Sequence, residues 1–380
     1  MKRAFPYLKT FFKRADMLLF SLALVAALLG IVMIYSATRS LNSNADVITQ
    51  AFSLLIGIGL FVLFTIIDID IITDHWLPVL IFSVVVILAL IPFGSVVNGS
   101  KAWIHFLGVS IQPTEIVKVT FIVLLAKQIS YRKEYGNLNA PLSMLQILAH
   151  FLLFFGLVVV VAGDLGSALV FFFIFLVMLF VAGIKLYWFA AGIGLLAAAT
   201  PLIWSNVLRQ DQKDRILAPY VPGIDRNGDG VLWQQNHSKL ALASGQFTGT
   251  GLLKGPQTQS VSALPEKQTD FIFGAIGEEL GMIGCILVIA LLVALMVRCV
   301  YVGVKSKNTL NMLVCFGVAA MLFFQTFENI GMCLGIAPVI GITLPLFSYG
   351  GSSLFCTFAA LGIVSGIRYR PKPERFRSYG

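Results

Sequence analysis

Ten separate stretches of this chain are apolar over about the length a helix needs to cross a bilayer, roughly 20 residues. That recurrence limits the fold more than any other feature. The spans run Met17–Tyr35, Ile48–Ile67, Trp76–Ile91, Ile111–Ile129, Met144–Val161, Leu165–Gly183, Leu186–Trp204, Phe271–Tyr301, Leu310–Leu334 and Ser352–Ile367. The fourth is the least apolar, being broken up by polar side chains. Of the 380 residues, 58% are hydrophobic and 12% charged, where a soluble domain carries roughly 25% charged residues. A water-soluble fold has no means of hiding so much apolar surface, so lipid is the solvent. The expected architecture is an all-α polytopic membrane protein, a single domain over residues 1–380 with ten transmembrane helices. The first apolar run is long enough to span and no small-residue cleavage site follows it, so it reads as a membrane helix and not as a signal peptide.

Orientation follows from where Lys and Arg fall. With ten spans both termini share one side. That side holds Lys2, Arg3, Lys9, Lys13, Arg14, Lys127, Arg132, Lys133, Lys185, Arg298, Lys305, Lys307, Arg368, Arg370, Lys372, Arg375 and Arg377, the majority of the 27 basic residues. Short basic loops mark the cytoplasmic side, so both termini are expected there. The +9 net charge is then a matter of membrane orientation, and no nucleic-acid partner is expected. The stretch 205–270 between the seventh and eighth spans becomes a large extracytoplasmic loop, far beyond the usual connection of about 4–6 residues. It mixes charges, aromatics, glycines and prolines, as an ordered cap would. Asn98–Ser110 and Ile336–Gly351 lie on the same face, and the three together can enclose a site at the membrane surface.

Ionisable residues inside apolar spans are costly and therefore candidates for function. Glu115 and Lys118 are three apart and share a helix face. Either they form a mutual ion pair, or Lys118 meets an anionic ligand with Glu115 orienting it. Asp164, in Gly163-Asp164-Leu165-Gly166, is placed to cap the sixth span, and Glu328 reads as an interior hydrogen-bonding residue. The densest cluster is Leu264-Pro265-Glu266-Lys267-Gln268-Thr269-Asp270-Phe271-Ile272-Phe273. Proline ends any preceding helix, which leaves Thr269 or Asp270 to cap the eighth span. The functional alternative makes Asp270 a general base, a carboxylate at an apolar boundary where desolvation raises its pKa. Glu278 and Glu279, about 12 Å further along the helix, suit a structural network. Asp225-Arg226-Asn227-Gly228-Asp229-Gly230 copies the first half of a calcium loop, but Asn236 stands where the bidentate glutamate belongs, so an Asx-rich turn is the stronger reading. Arg209, Lys213, Arg215 and Lys239 are either solvated or available to a diphosphate. Cys285, Cys299, Cys315, Cys333 and Cys356 have no metal-ligand spacing and read as packing residues; no metal site is expected from protein side chains.

Several blocks in order resemble the SEDS family (shape, elongation, division and sporulation) of peptidoglycan polymerases. Asn98-Gly99-Ser100-Lys101-Ala102-Trp103-Ile104 and Gln112-Pro113-Thr114-Glu115-Ile116-Val117-Lys118 resemble its third outer loop and fourth helix. Gly163-Asp164-Leu165-Gly166-Ser167-Ala168 resembles its turn before the sixth helix. Trp233-Gln234, Ser238 and Ala243-Ser244-Gly245 resemble its central loop. Leu264-Pro265-Glu266, Thr269-Asp270-Phe271 and Glu278-Glu279-Leu280-Gly281 resemble its most diagnostic motif, and Pro345 with Ser348-Tyr349-Gly350-Gly351-Ser352-Ser353 its last. The chain departs from the pattern at Ala102, where Arg is usual, at Ala162-Gly163, where Gln-Pro is usual, and at His237, where Gln is usual. The Asp225–Gly230 insert lies outside it. Gly255-Pro256-Gln257-Thr258-Gln259 is closer to the RodA-like elongation branch than to the FtsW-like division branch.

The resemblance implies a glycosyltransferase that polymerises lipid II on the outer face of the bacterial cytoplasmic membrane, with inversion at the sugar and Asp270 as the essential carboxylate. It implies substrate contacts from Arg215, Lys118, Glu115, Trp103, Lys101, Gln234, Ser238, Glu266, Thr269, Ser348 and Ser352. It leaves room for a divalent cation, Mg or Mn, on the diphosphate. A groove open to membrane lipid would hold the polyprenyl tail, and a single-span class B penicillin-binding protein would be the partner. The rival readings are a lipid II flippase, which would use Glu115, Lys118, Asp164 and Glu328, and a scaffold that performs no chemistry.

Overall fold

A computed structural model describes residues 11–369 apart from 12, 42–43, 98–99, 107–108, 207, 222, 226–229 and 262. The basic residues Lys2, Arg3, Lys9, Arg370, Lys372, Arg375 and Arg377, and most of the calcium-like insert, therefore lie outside the described residues. Ten long helices form a bundle: α1 (Met17–Thr38), α2 (Ala45–Ile66), α3 (Trp76–Leu88, continued by Leu90–Phe93), α4 (Pro113–Tyr135), α5 (Pro141–Leu157, continued to Ala162 with a widened last turn), α6 (Leu165–Ala182) and α7 (Leu186–Asn206) come first. The long loop adds α8 (Gln210–Leu217), α9 (Trp233–Gly245) and α10 (Pro256–Gln259). The bundle is completed by α11 (Ile272–Lys305), α12 (Thr309–Leu334) and α13 (Gly351–Tyr369). Among the described residues, nine of these helices are long and apolar enough to cross a membrane. The chain is a multi-pass, all-α membrane protein.

The helix that fails the hydropathy criterion is α4, and its position explains why. It lies between α3, α5, α6, α12 and α13, so its polar side chains meet protein and not lipid. Glu115, Lys118 and Thr114 on it are all buried. Its start also corrects the sequence reading: Ile111 belongs to a strand, and the helix begins at Pro113, where the fixed φ of proline suits a first turn and its missing N–H costs nothing. Ahead of it Ser95–Val97, Ser100–Phe106 and Val109–Ile111 form a small antiparallel sheet, β1-β2-β3, within the segment between the third and fourth spans. Ser100 Oγ pins this sheet to the Ala162 carbonyl at 2.9 Å.

Close helix contacts use small residues, as is usual in membrane bundles. A Cβ on Gly362 of α13 would stand 2.7 Å from the Phe61 carbonyl of α2, and one on Gly366 2.8 Å from that of Phe64. At the end of the bundle away from the long loop, Asp16 is fully buried. It caps α1 through Leu19 N–H and receives Arg298 of α11 and Arg368 of α13, each at 2.9 Å. By contrast α7 stands off from the bundle, with none of its apolar window buried by protein; only its first turn is tied down, through Trp188 Nε1 to the Asn139 carbonyl.

The eighth span is not one continuous helix. Gly281 in α11 has φ 66° and ψ −165°, and the loop following α9 plugs the break. Met282 N–H donates to the Gln246 carbonyl and Ile283 N–H to that of Phe247, while Thr250 and Gly251 N–H reach back to the carbonyls of Glu278 and Glu279. A Cβ on Gly245 would lie 1.8 Å from the Gly277 carbonyl, so only glycine permits this approach. Residues 282–305 alone extend about 36 Å, enough to cross the hydrocarbon core. The short segment Ile272–Leu280 belongs with the loops, and Glu278 and Glu279 are correspondingly part of the cap's foundation.

Candidate active site

Three parts of the loop-bearing face converge on the turn Leu264–Phe271: the start of α6, the segment between α12 and α13, and the loop after α10. Asp270 sits at the end of this turn, half-buried. The expectation that Thr269 or Asp270 caps α11 is corrected. The capping position is Phe271, with no side-chain bond to the first turn, and Thr269 Oγ1 instead donates to Glu266 Oε2 at 2.8 Å and to the Glu266 carbonyl. Glu266 holds φ 45°, a left-handed conformation that costs a non-glycine residue of order 1–3 kcal/mol and tends to occur at functional sites. The N–H groups of Thr269 and Phe271 both close on its carbonyl.

With Thr269 and Glu266 occupied by each other, the Asp270 carboxylate is left over. It forms no hydrogen bond among the described residues. Burial pushes its pKa up from 3.8 to about 7, and the negative charges of Glu266 and Asp164 push in the same direction. Desolvation disfavours the charged carboxylate, and like charges nearby disfavour it further. A group that binds a proton near neutral pH and has no structural partner suits acid–base chemistry.

The surrounding residues are largely committed to structure. Asp164 caps α6 as expected, accepting from Ser167 N–H at 2.9 Å and Ser167 Oγ at 2.6 Å, and also from Gln112 Nε2 at 3.1 Å. Ser348 Oγ donates to the Thr269 carbonyl and accepts from Leu344 N–H; Ser352 Oγ accepts from Gln112 N–H. Gln50, from α2, bonds both the Ser348 carbonyl and Gly350 N–H. Ser238 is buried with its hydroxyl on the Cys333 carbonyl. Gln234 is half-buried, whereas its neighbour Gln235 is buried and bridges the carbonyls of Met332 and Ala337. Trp103 lies half-buried on β2, and Lys101 Nζ meets the Ile91 carbonyl at 2.7 Å. Lys118 and Glu115 are paired at 2.7 Å with side-chain exposures of 1% and 8%, the ion-pair arrangement of the two that the sequence left open. Arg215 projects exposed from α8, and Lys239 is exposed beside Gly335 at the end of α12.

The larger surprise is Lys267, to which the sequence reading assigned no role. The residue is 2% exposed, and its ammonium donates to Ser40 Oγ at 2.8 Å and to the carbonyls of Thr258 and Ser260 at 2.5 and 2.7 Å. Burial lowers its pKa, opposed by the charges of Glu278 and Glu279. Those glutamates form the structural network expected of them. Glu278 receives the N–H groups of Gln257 and Thr258 and the Thr258 hydroxyl, and Glu279 receives Ser36 Oγ and Gln259 Nε2. Glu328 departs from expectation, since its buried Oε1 has no hydrogen-bond partner. Asp225 accepts from the N–H groups of Gly230 and Leu232, five and seven residues on, a longer reach than the two residues of an Asx-turn. No group of three His, Cys, Asp or Glu among the described residues is placed to hold a metal ion.

The sequence profile of the FtsW/RodA/SpoVE cell cycle proteins matches residues 16–372. The chain belongs to that family. Relatives within it include the peptidoglycan glycosyltransferase MrdB of Escherichia coli, 33% identical over 79% of both chains. The probable peptidoglycan glycosyltransferase FtsW of Haemophilus influenzae is 33% identical over 93% of this chain and 90% of its own. Among solved structures, the rod shape determining protein RodA of Thermus thermophilus superposes with a TM-score of 0.68 at 27% identity, over 96% of this chain and 98% of its own. A chain from a peptidoglycan synthase complex that coordinates polymerisation and crosslinking gives 0.77 at 27% identity, over 93% of this chain and 97% of its own. Family membership carries the SEDS resemblance over nearly the whole chain, with both RodA and FtsW among the relatives.

Proposed function

We propose that this family member is a peptidoglycan glycosyltransferase that polymerises lipid II, with Asp270 as its general base. The observation that supports this most directly is the Asp270 carboxylate itself. It is desolvated, free of structural hydrogen bonds, and titrates near neutrality beside a face built from three converging segments. In this reading the acceptor sugar hydroxyl loses its proton to Asp270 as its oxygen bonds to the donor's anomeric carbon. The bond from that carbon to the diphosphate breaks, and polyprenyl diphosphate leaves. One displacement inverts the anomeric centre, so an α-linked donor gives a β-linked strand without a covalent enzyme intermediate.

The leaving group's charge needs preorganised cations. Arg215, exposed on α8, is the residue proposed to meet it, while Lys118 acts from inside the bundle through its pairing with Glu115. A divalent cation, Mg or Mn, binds mainly through phosphate oxygens with one or two carboxylates. Among the described residues no group of three His, Cys, Asp or Glu is placed to hold a metal ion, so such a cation would be carried by the diphosphate's own oxygens and water. Lys101, Trp103, Gln234 and Ser238 are proposed to border the sugar and diphosphate positions, with Thr269, Ser348 and Ser352 shaping the turn. The stand-off of α7 supports a groove open to membrane lipid for the polyprenyl tail.

The reading further places both termini on the cytoplasmic side of the bacterial cytoplasmic membrane and the site outside it. It gives the chain a RodA-like role in elongation and a class B penicillin-binding protein as partner. The test compares Asp270→Asn with wild type in polymerisation of labelled lipid II, with the partner present. Loss of polymer from a folded, partner-binding variant is the expected result; equal polymer from both overturns the assignment and returns the flippase and scaffold readings.

A further inference from the structure

Three successive carbonyls, those of Gln268, Thr269 and Asp270, each accept a hydrogen bond from elements beyond α11. Tyr349 N–H reaches Gln268 at 2.7 Å, Ser348 Oγ reaches Thr269 at 2.5 Å, and Asn329 Nδ2 reaches Asp270 at 2.8 Å. The third bond differs in kind from the others, because the Asp270 carbonyl is not part of the α11 ladder. The first carbonyl that the helix uses is that of Phe271, which accepts from Gly274 and Ala275. Among the described residues, the Asp270 carbonyl accepts hydrogen bonds from Asn329 and, at 3.7 Å, from the Cys333 thiol alone.

Asn329 is fully buried in α12, and its second amide hydrogen goes to the Ile342 carbonyl at 2.7 Å. Both neighbours are acceptors, so the amide can be oriented only one way. That orientation leaves Oδ1 buried with no partner, a cost that arises because the oxygen has given up its hydrogen bonds to water. A residue placed only for packing would not incur it. The compensation is a two-pronged clamp that joins the peptide of Asp270 to the segment carrying Ile342, whose neighbour Gly341 lies against the Asp270 carboxylate.

Resting on the reading of Asp270 as the base, we propose that Asn329 is a positioning residue for the glycosyl transfer: it fixes the Asp270 peptide, and with it the direction of the carboxylate, without touching substrate. Loss of the clamp frees rotation about the last bonds before α11. The carboxylate then reaches more water and leaves its reactive alignment. Misplacement of a catalytic group by about 1 Å can cost around a hundredfold in rate.

The experiment measures kcat and KM for lipid II polymerisation against pH for wild type, Asn329→Ala and Ser348→Ala, each with its partner, with Asp270→Asn as the inactive reference. For Asn329→Ala, kcat is expected to fall at least about tenfold, with KM within roughly twofold because no substrate contact is lost. The acid limb of kcat/KM is also expected to move to lower pH, since a carboxylate released to water binds its proton more weakly. The charged groups facing Asp270 are Glu266 from its own turn and Asp164 from the start of α6; Cys333 faces its carbonyl, and the Lys267 ammonium is turned toward Ser40. Moving away from two negative charges shifts the limb in the same direction. A lower kcat with the limb unmoved would mean fewer folded molecules and would overturn the proposal, as would unchanged kinetics. Should Asn329→Ala fail to fold, Ser348→Ala, which removes the adjacent bond, must show the same limb shift or the clamp is refuted. Activity retained by Asp270→Asn would refute the base reading instead, whatever Asn329 does.

Discussion

Lys267 offers the sharpest test of how the cap is held. Replacement by methionine keeps most of the side chain's volume and removes only the ammonium. The Thr258 and Ser260 carbonyls and the Ser40 hydroxyl then lose their donor, and Glu278 and Glu279, both essentially unexposed, lose a neighbouring positive charge. Breaking a buried ionic arrangement by removing one member costs about 3–5 kcal/mol. At an unfolding entropy of about 2.1 cal/mol/K per residue, a chain of 380 residues would lose roughly 4–6 °C in Tm. Thermal unfolding in detergent, followed by loss of monodispersity, reads this directly. The origin of the effect is separable by a double-mutant cycle with Glu279→Gln. If the charge matters through Glu279, the cost of Lys267→Met shrinks in that background by about 0.5–3 kcal/mol. A Lys267→Met protein within a degree of wild type, or costs that simply add, would refute the idea that this ammonium ties the turn to its foundation.

Two further outcomes follow from the geometry. Because Asp270 must be ionised to act as a base and its pKa is raised to about 7, kcat/KM should decline as pH falls below neutrality. Glu266→Gln, which removes a negative neighbour, should move that limb to lower pH; a limb that stays in place or moves up in a pH–rate profile contradicts the electrostatics. For the Glu115–Lys118 pair, Lys118→Met should cost about 3–5 kcal/mol by stranding a buried carboxylate. Glu115→Leu combined with Lys118→Met should recover much of that loss in thermal melts, and a double variant worse than either single one would argue that the pair is worth more than its burial costs.

The membrane architecture was legible because it rests on composition and run length, which survive without any knowledge of neighbours. Even α4, the least apolar span, was recoverable from its position in sequence; its polar content made sense only once the helices around it were known. The break at Gly281 was not legible. Its cause is the backbone of residues 245–251 docking into α11, and no local signal in an apolar run announces a partner that far away in sequence. At the site, Asp270 was visible through its motif, yet its capping alternative could be dismissed only when Phe271 was found at the cap position with no side-chain bond to the first turn. Lys267 lay in the same motif and passed unnoticed because its partners are mostly backbone carbonyls, which carry no sequence signature. Asn329 was overshadowed by Glu328 beside it. A charge in a span draws attention, although it is the neutral amide that reaches the site.

Asp270's affinity for a proton and the bonding of the carbonyls behind it answer to one requirement. A carboxylate holds its proton near pH 7 only where water is largely excluded, and excluding water from a turn deprives its peptide groups of their usual partners. Each buried carbonyl left unmet costs about 1–3 kcal/mol. The turn must therefore draw its donors from elsewhere in the protein, and it does so from Tyr349, Ser348 and Asn329. The last signature of the sequence, far from Asp270 along the chain, thus sets the conditions under which Asp270 can be a base. Substitutions in that signature should change the pH dependence of the reaction as well as its rate, which separates them from changes that merely unfold the protein.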